Sequence, residues 1–137
     1  MGGHIMYKSL EVKSSRRNDM VDITNEVVDF IKSSSINDGL LVINVLHTTA
    51  AVTINENADP DVKKDILKEL NKLIPHNDNY KHIEGNADAH IKTSLVGSNE
   101  TIIVKNNRLK LGSWQGIFLC DFDGPRTRTV ILKLISD

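Results

Sequence analysis

The strongest constraint on the fold is a short, almost unbroken apolar run, Leu-Leu-Val-Ile-Asn-Val-Leu, at residues 40–46. The run is rich in β-branched residues and too short for a helix, and turn residues precede it at Asp38-Gly39. A run of this kind is typical of a strand that is buried on both faces. The sequence therefore predicts a buried strand that contains Leu40 to Leu46 and has His47 as its last residue.

Further strands and two helices are predicted around this strand. Helices are expected at Thr24–Ser33 and Asp61–Ile74, because apolar residues recur there at helical spacing. Turn residues separate the remaining strands, which are Tyr7–Lys13 (an edge strand), Ala50–Glu56, His90–Val96, Thr101–Lys105, Gly116–Phe122 and Arg128–Ile135. This order predicts one α+β domain over residues 1–137, a largely antiparallel, β-sandwich-like sheet system covered by two helices. Met1 to Ile5 are interpreted as an added leader, because a second methionine stands at Met6.

Composition excludes several classes of function. The 137 residues include 17 Lys and Arg against 18 Asp and Glu, so no domain-wide positive field is available for nucleic acid or an anionic membrane. The apolar runs are far shorter than the roughly 20 residues that span a bilayer. Cys120 is the only cysteine, which excludes an internal disulfide and a cysteine-based zinc site and, without a signal-peptide pattern, predicts a cytoplasmic protein.

Three histidines are candidate metal ligands. His47 ends the buried strand, His82 lies in the polar segment His76–Asp88, and His90 begins the next predicted strand. Imidazoles from a strand end, a loop and a strand start could converge on one divalent ion that keeps an open water position. The alternative is that they are hydrogen-bonded structural or surface residues, as scattered histidines usually are.

Two acidic residues between a predicted strand and a predicted helix are candidate catalytic groups. Glu56 extends the apolar row of Val52 and Ile54 with a carboxylate, which suggests a general base or a group that orients a ligating histidine. Asp59 stands just before Pro60 and the predicted helix start, so the alternative for Asp59 is an N-cap.

Candidate substrate-binding residues lie mostly in the second half of the chain. Trp114 and Gln115 stand between two glycines at a strand entrance, where backbone amides can approach a ligand closely. Arg126 and Arg128 follow a turn and could fork onto a phosphate, with Lys92 as a third positive group. Surface ion pairing is the alternative for the arginines. If Arg126 points to solvent and pairs with a carboxylate, phosphate binding loses its main support in the sequence.

Four segments, taken together, closely resemble the YjbQ-like family: His47–Ala50, Thr53–Asp61, Asn86–Lys92 and Leu111–Ile117. The resemblance extends from Tyr7 to the C-terminus, with the four motifs in the family's order. It implies a compact α+β sandwich that assembles into trimers and has secondary thiamine-phosphate synthase activity. It also implies a histidine-rich pocket of His47, His82 and His90, with the following residues nearby: Glu56, Asp59, Trp114, Gln115, Arg126 and Arg128.

The implied reaction joins a pyrimidine pyrophosphate to a thiazole phosphate. Arg126, Arg128 and Lys92 would hold the phosphates while a divalent ion stabilises the leaving pyrophosphate. Three imidazoles suit zinc better than magnesium, which prefers oxygen ligands. Two alternatives stay open. One is a metal-dependent hydrolase of a small phosphorylated or amide substrate, with Glu56 activating a metal-bound water, and the other is a non-catalytic trimeric module that binds a metal or small anion.

Overall fold

A computed structural model describes residues 5–137 of the chain. The leader predicted for the first residues lies outside this range except for Ile5, which already belongs to the first strand and pairs with Ile135. In chain order the described elements are β1 (Ile5–Lys13), β2 (Asp19–Asp22), α1 (Thr24–Lys32), β3 (Gly39–Val45), β4 (Ala50–Glu56), α2 (Pro60–Leu73), α3 (Ala87–Val96), β5 (Asn99–Lys105), β6 (Arg108–Leu109), β7 (Gln115–Asp121) and β8 (Thr127–Ser136).

The strands form two antiparallel sheets. One has the order β1-β8-β3-β5-β6 and the other the order β2-β7-β4, which confirms the predicted α+β class. β1 lies at the edge of the first sheet, as predicted, and β3 lies inside it. Leu41 and Ile43 of β3 are fully buried, but Leu40 on the opposite face is 44% exposed. In the single chain, contrary to the prediction, this strand is therefore buried on one face only, because none of the helices within residues 5–137 covers the outer face of the five-stranded sheet.

The three-stranded sheet is the middle layer of the fold. Alternate residues of β7 point to opposite sides, as strand geometry requires. Ile117 and Leu119 join the main core, which contains the inner face of the five-stranded sheet and the apolar side of α1. Phe118 and Cys120 join a second core, against which α2 packs. Cys120 is buried, as expected of a core thiol, and burial raises its pKa to about 12.

A third helix, α3, replaces the strand that was predicted at His90–Val96. The buried side of α3 carries small and charged residues, including Ala89, Asp88 and Lys92, whereas Ile91 and Leu95 are 43% and 64% exposed. The usual apolar stripe of a surface helix is therefore missing. An i,i+4 ion pair between Asp88 and Lys92, with a distance of 3.2 Å, contributes to this helix instead.

A buried ion pair joins the two sheets. Arg128 of β8 donates from Nε and Nη2 to the two carboxylate oxygens of Asp121, at the end of β7, at 2.9 and 2.7 Å. Ser14 Oγ donates to the same carboxylate at 2.6 Å. Burial alone would raise the pKa of Asp121, but the hydrogen bonds from Arg128, Ser14 and the Asp123 amide outweigh it, and the pKa lies below its usual range.

The substitution Asp121→Ala should destabilise the protein strongly, because it leaves the guanidinium of Arg128 buried without its partner. We expect a loss of about 3–5 kcal/mol in the free energy of unfolding, measured by urea denaturation. Asp61→Ala is the matched control, since the carboxylate of Asp61 is exposed and lies 3.9 Å from Lys64. That variant should lose less than about 1 kcal/mol. Equal losses in the two variants would contradict a structural role for the buried pair.

Candidate functional site

An open cleft lies between the segment after β3 and helix α3. Its volume is about 400 Å³, and its lining residues are His47, Thr48, His90, Thr93, Ser94, Gly97 and Ser98. Two backbone hydrogen bonds hold its walls together, from Val45 to Ser98 at 2.8 Å and from Val52 to Gly97 at 3.1 Å. Gly97, with φ of 104°, supplies the turn that most other residues would disfavour. The cleft is therefore formed by fixed backbone segments.

His47 occupies one wall of the cleft as a neutral imidazole. Its Nε2 accepts a hydrogen bond from the backbone amide of Thr129 at 2.8 Å, so in the neutral ring the hydrogen is on Nδ1. Burial lowers the pKa of His47, and the positive charge of Arg128 lowers it further. His47 is thus held in one tautomer, with Nδ1–H as its remaining polar group.

His82 and His90 form a pair beside the same cleft. Their rings stand edge to face, with centroids 5.2 Å apart. His82 Nε2 donates to the side-chain oxygen of Asn86 at 3.0 Å, and Asn86 Nδ2 donates to Asp123 at 3.0 Å. Because His90 lines one cleft together with His47 and a neighbouring cleft together with His82, the structure brings the three predicted histidines to one region.

The fit of this region to a metal ion is partial. Within residues 5–137, no group of three or more His, Cys, Asp or Glu side chains is arranged to hold a metal. Two imidazoles on one tetrahedral zinc ion would have ring centroids roughly 5 Å apart, which matches the His82–His90 pair. His47 would have to release the Thr129 amide before its Nε2 could become a third ligand. Zinc binding by all three histidines stays a prediction.

One lining residue of the cleft, Thr93, has an unsatisfied buried hydroxyl. Thr93 Oγ1 is a buried side-chain atom with no hydrogen-bond partner among the described residues. Buried polar groups nearly always have a partner, and each exception points to strain, water or a ligand. Since Thr93 lines the cleft, a bound water or ligand group is the simplest partner for its hydroxyl.

Four predicted site residues lie at the other end of the three-stranded sheet. In the register of β4 and β7, Ala50 pairs with Asp121, near the histidines, whereas Glu56 pairs with Gln115. The seven residues of β4 span roughly 20 Å at about 3.3 Å per residue. Within one chain, therefore, Glu56 and Gln115, together with their neighbours Asp59 and Trp114, do not join the histidines.

Local hydrogen bonds give Asp59 and Glu56 structural roles. Asp59 is the N-cap of α2, since its Oδ1 accepts from the Asp61 amide at 2.9 Å, so the capping alternative is confirmed. The Asp59 amide in turn donates to Glu56 Oε2 at 3.1 Å. Trp114 is 63% exposed. Catalytic or substrate-binding roles for Glu56, Trp114 and Gln115 at the histidines would require a neighbouring copy of the chain.

The three predicted phosphate-binding cations already have partners. Lys92 is fully buried and donates to Asn71, Asn18 and Asp88 at 2.6, 3.2 and 3.2 Å. Burial lowers its pKa, which the Asp88 carboxylate opposes. Arg128 is engaged with Asp121, as described above, and also donates to Thr49 at 2.9 Å.

Arg126, the third cation, is 57% exposed at its side chain and pairs with Asp123 at 3.2 Å. This is the surface ion pair that the sequence left open as the alternative. The structure therefore does not bring Arg126, Arg128 and Lys92 together as a phosphate site, and the phosphorylated-substrate hypothesis loses its main support in the sequence.

Sequence reasoning missed the charge network beneath the cleft. Asp88 is fully buried and forms a two-pronged ion pair with Arg17, with both N–O distances at 2.9 Å. Asp88 also holds Lys92, so this network fixes the helix that carries His90. The i,i+4 spacing of Asp88 and Lys92 was the available signal, but its partner Arg17 is 71 positions away in the chain.

Comparisons with known proteins identify the family. A family model described as UPF0047 protein YjbQ-like matches residues 8–137. The chain belongs to the YjbQ-like family. It is 54% identical over 127 residues to UPF0047 protein MJ1081 of Methanocaldococcus jannaschii, covering 93% of this chain and 92% of that protein. It is 50% identical to UPF0047 protein YugU of Bacillus subtilis, covering 96% and 100%.

Solved structures of YjbQ-like relatives share the fold. The family member from Clostridium acetobutylicum has a TM-score of 0.91 at 51% identity, covering 93% of this chain and 99% of that one. A protein from Aeropyrum pernix has a TM-score of 0.92 at 37% identity, covering 96% and 99%. Among residues 5–137 of this YjbQ-like chain, no helix is long and apolar enough to cross a membrane.

In this YjbQ-like protein, His47 should titrate below the ordinary histidine value of about 6.5. The folded state then binds fewer protons than the unfolded state between the lowered pKa and that value, so the contribution of His47 to stability falls as the pH falls through this interval. NMR of the imidazole nitrogens measures the pKa, and the Thr129 amide shift should follow the same titration. A His47 pKa at or above the ordinary value would contradict the described environment.

Proposed function

We propose that this chain is an enzyme that transfers protons to and from a small polar substrate bound in the His47–His90 cleft. The observation that carries the proposal is the composition of one cleft. Two histidines line it, and so does Thr93, whose buried hydroxyl has no hydrogen-bond partner among the described residues. Convergent polar groups with a perturbed pKa in a fixed cleft are the usual features of an active site.

His47 is suited to donate a hydrogen bond. Its Nε2 is occupied by the Thr129 amide, and its lowered pKa keeps the ring neutral. A neutral imidazole that points N–H at a substrate oxygen stabilises negative charge that develops on that oxygen. In this role His47 holds its own proton and orients the substrate.

His90 is suited to move the proton. No hydrogen bond within the described residues involves its ring nitrogens, although Ser94 Oγ donates to its backbone oxygen at 3.0 Å. The ring therefore has a free acceptor nitrogen when it is neutral. An imidazole with a free ring nitrogen can accept a proton from, or donate one to, a substrate group within hydrogen-bond reach.

Thiamine-phosphate formation is the specific reaction that the family resemblance suggests for this cleft. The thiazole nitrogen would attack the methylene carbon of the pyrimidine pyrophosphate, and the bond from that carbon to the pyrophosphate oxygen would break. The leaving pyrophosphate would gain negative charge, which the His47 N–H would stabilise and a proton from His90 would neutralise. The assignment rests on the family resemblance and on the cleft histidines, since Arg126, Arg128 and Lys92 are paired with carboxylates of the protein.

Metal-dependent hydrolysis is the second candidate, and it would use the adjacent His82 and His90. Their 5.2 Å centroid distance is that of an ordinary edge-to-face contact, and two imidazoles on one zinc ion would have a similar distance. Zinc held by this pair would supply a bound water of lowered pKa. A small phosphorylated or amide substrate would then be hydrolysed, and this chain's residues would orient it through His47 and Thr93.

We also propose that the outer face of the five-stranded sheet is covered by neighbouring copies in a closed trimer. Ile5 lies opposite Ile135, Ile135 opposite Leu40, and Leu40 opposite Ile103, so one apolar row crosses four strands. All four side chains are exposed in the single chain. Contiguous exposed apolar surface usually marks an interface, and soluble homo-oligomers are usually closed.

Replacing either cleft histidine should remove activity without unfolding the protein. We expect His90→Gln and His47→Gln to lower turnover about 100-fold or more, whereas His76→Gln, outside the cleft, should retain it. The assays are formation of thiamine phosphate from its two phosphorylated precursors, and hydrolysis of p-nitrophenyl phosphate with and without added zinc. Thermal unfolding checks each variant.

The two reactions separate the candidates. Thiamine-phosphate formation that both cleft variants lose supports the transferase, and zinc-dependent hydrolysis that His82→Gln also loses supports the hydrolase. Activity that survives in both cleft variants would overturn the proposal, as would absence of both reactions in the unaltered protein.

Sedimentation equilibrium tests the trimer. The unaltered protein should have three times the 15.3 kDa mass of one chain, and Leu40→Lys should lower this mass because it places a charge in the middle of the apolar row. Lys64→Glu on α2 is the control. A single-chain mass for the unaltered protein, or an unchanged mass for Leu40→Lys, would contradict this interface.

A further inference from the structure

A second cavity lies between α1 and the hairpin that joins β5 to β6. Its volume is about 350 Å³, and its lining residues are Val28, Ile31, Lys32, Asn107, Arg108, Leu109 and Leu111. It shares none of these residues with the His47–His90 cleft. Its volume lies in the range of small-molecule sites, roughly 300–1,000 Å³.

The interior of this cavity is apolar. Val28 and Ile31 come from one side of α1, and Leu109 and Leu111 come from β6 and the segment after it. Leu109 and Leu111 pack at the same time against the main core. The cavity is therefore a branch of the core that opens to the surface, and it offers contact to a hydrocarbon chain or ring.

The rim of the cavity is basic. Lys32 and Arg108 are among its lining residues, which include no Asp or Glu. Arg108 also lines an adjoining hollow of about 500 Å³, together with Lys105 and Lys110. Lys105 is paired with Asp38 at 3.3 Å, but none of the ion pairs among the described residues involves Lys32, Arg108 or Lys110. Positive charge at this rim is therefore not neutralised by the protein.

The walls of the cavity are fixed to each other before any ligand binds. Asn107 has a positive φ of 58° at the tip of the hairpin, and its Nδ2 donates to the backbone oxygens of Ile31 and Ile36 at 2.9 and 2.7 Å. Its backbone amide donates to Asn37 at 2.7 Å. Preorganised walls reduce the entropy that a ligand must offset on binding.

We propose that this cavity binds a small amphipathic anion, with its apolar chain against Val28, Ile31, Leu109 and Leu111 and its anionic head at Arg108 and Lys32. The planar guanidinium of Arg108 suits a carboxylate or phosphate, because it can donate two parallel hydrogen bonds. The apolar interior is the reason to expect a hydrocarbon group in the ligand. The basic rim, whose lining includes no carboxylate, is the reason to expect a negatively charged head group.

Octanoate is the probe, and methyl NMR of the full-length protein is the measurement. We expect saturable shifts in the methyl groups of Val28, Ile31, Leu109 and Leu111. The variant Arg108→Gln should bind octanoate about two- to fivefold more weakly, the scale of one solvent-exposed charge contact. Lys64→Gln removes a charge of the same sign on α2 and should bind as the unaltered protein does.

Neutral 1-octanol separates the contribution of the apolar interior from that of the basic rim. It should bind to the unaltered protein more weakly than octanoate does. It should bind to Arg108→Gln as tightly as it binds to the unaltered protein. The proposal would be overturned if octanol and octanoate bound equally well, or if Arg108→Gln bound octanoate as tightly as the unaltered protein does. It would also be overturned if the shifts were confined to other methyl groups, or if binding did not saturate below the micelle concentration of octanoate. Thermal unfolding of Arg108→Gln confirms that the variant is folded.

Discussion

The carboxylate of Asp121 sets how the two sheets meet, and the cleft depends on that junction. A buried charge is tolerated only when its partners surround it, and here they come from separate elements: Arg128 on β8 and Ser14 after β1. Arg128 also binds Thr49, just before β4. The segment that carries His47 is thus anchored by the pair, and the same guanidinium helps to keep the His47 ring neutral. The Asp121–Arg128 pair therefore both holds the sheets together and influences the pKa of His47.

The length of β4 separates the predicted site residues into two groups. His47 precedes the strand and Glu56 ends it, so an extended backbone separates them by the full height of the sheet. A chain that used both groups in one reaction would have to bring them together between copies. The cleft histidines, by contrast, come from segments joined by direct backbone hydrogen bonds, which is why a single chain can position them.

The local sequence predicts those elements whose burial follows an ordinary pattern. Apolar spacing located α1 and α2, and alternation located β4, since in each case apolar residues face the core. The sequence pattern did not predict α3, because that helix buries Asp88 and Lys92 and exposes Leu95. An ordinary surface helix buries its apolar residues and exposes its charged ones. The partners of the predicted phosphate-binding cations could not be predicted from the sequence either. Lys92 and Arg128 are occupied by partners on other elements, and only the folded chain shows those pairings.

β1 is the longest described edge strand, with nine residues that pair on one side with β8 alone. Its other side presents backbone amides and carbonyls, to which a strand of an unfolded chain could add. Exposed charges at Lys8, Glu11 and Lys13 interrupt its apolar residues. A strand that added there would bring its own side chains against these charges, which makes edge-to-edge aggregation unfavourable. The irregular alternation of this segment is therefore also its protection against amyloid-like growth.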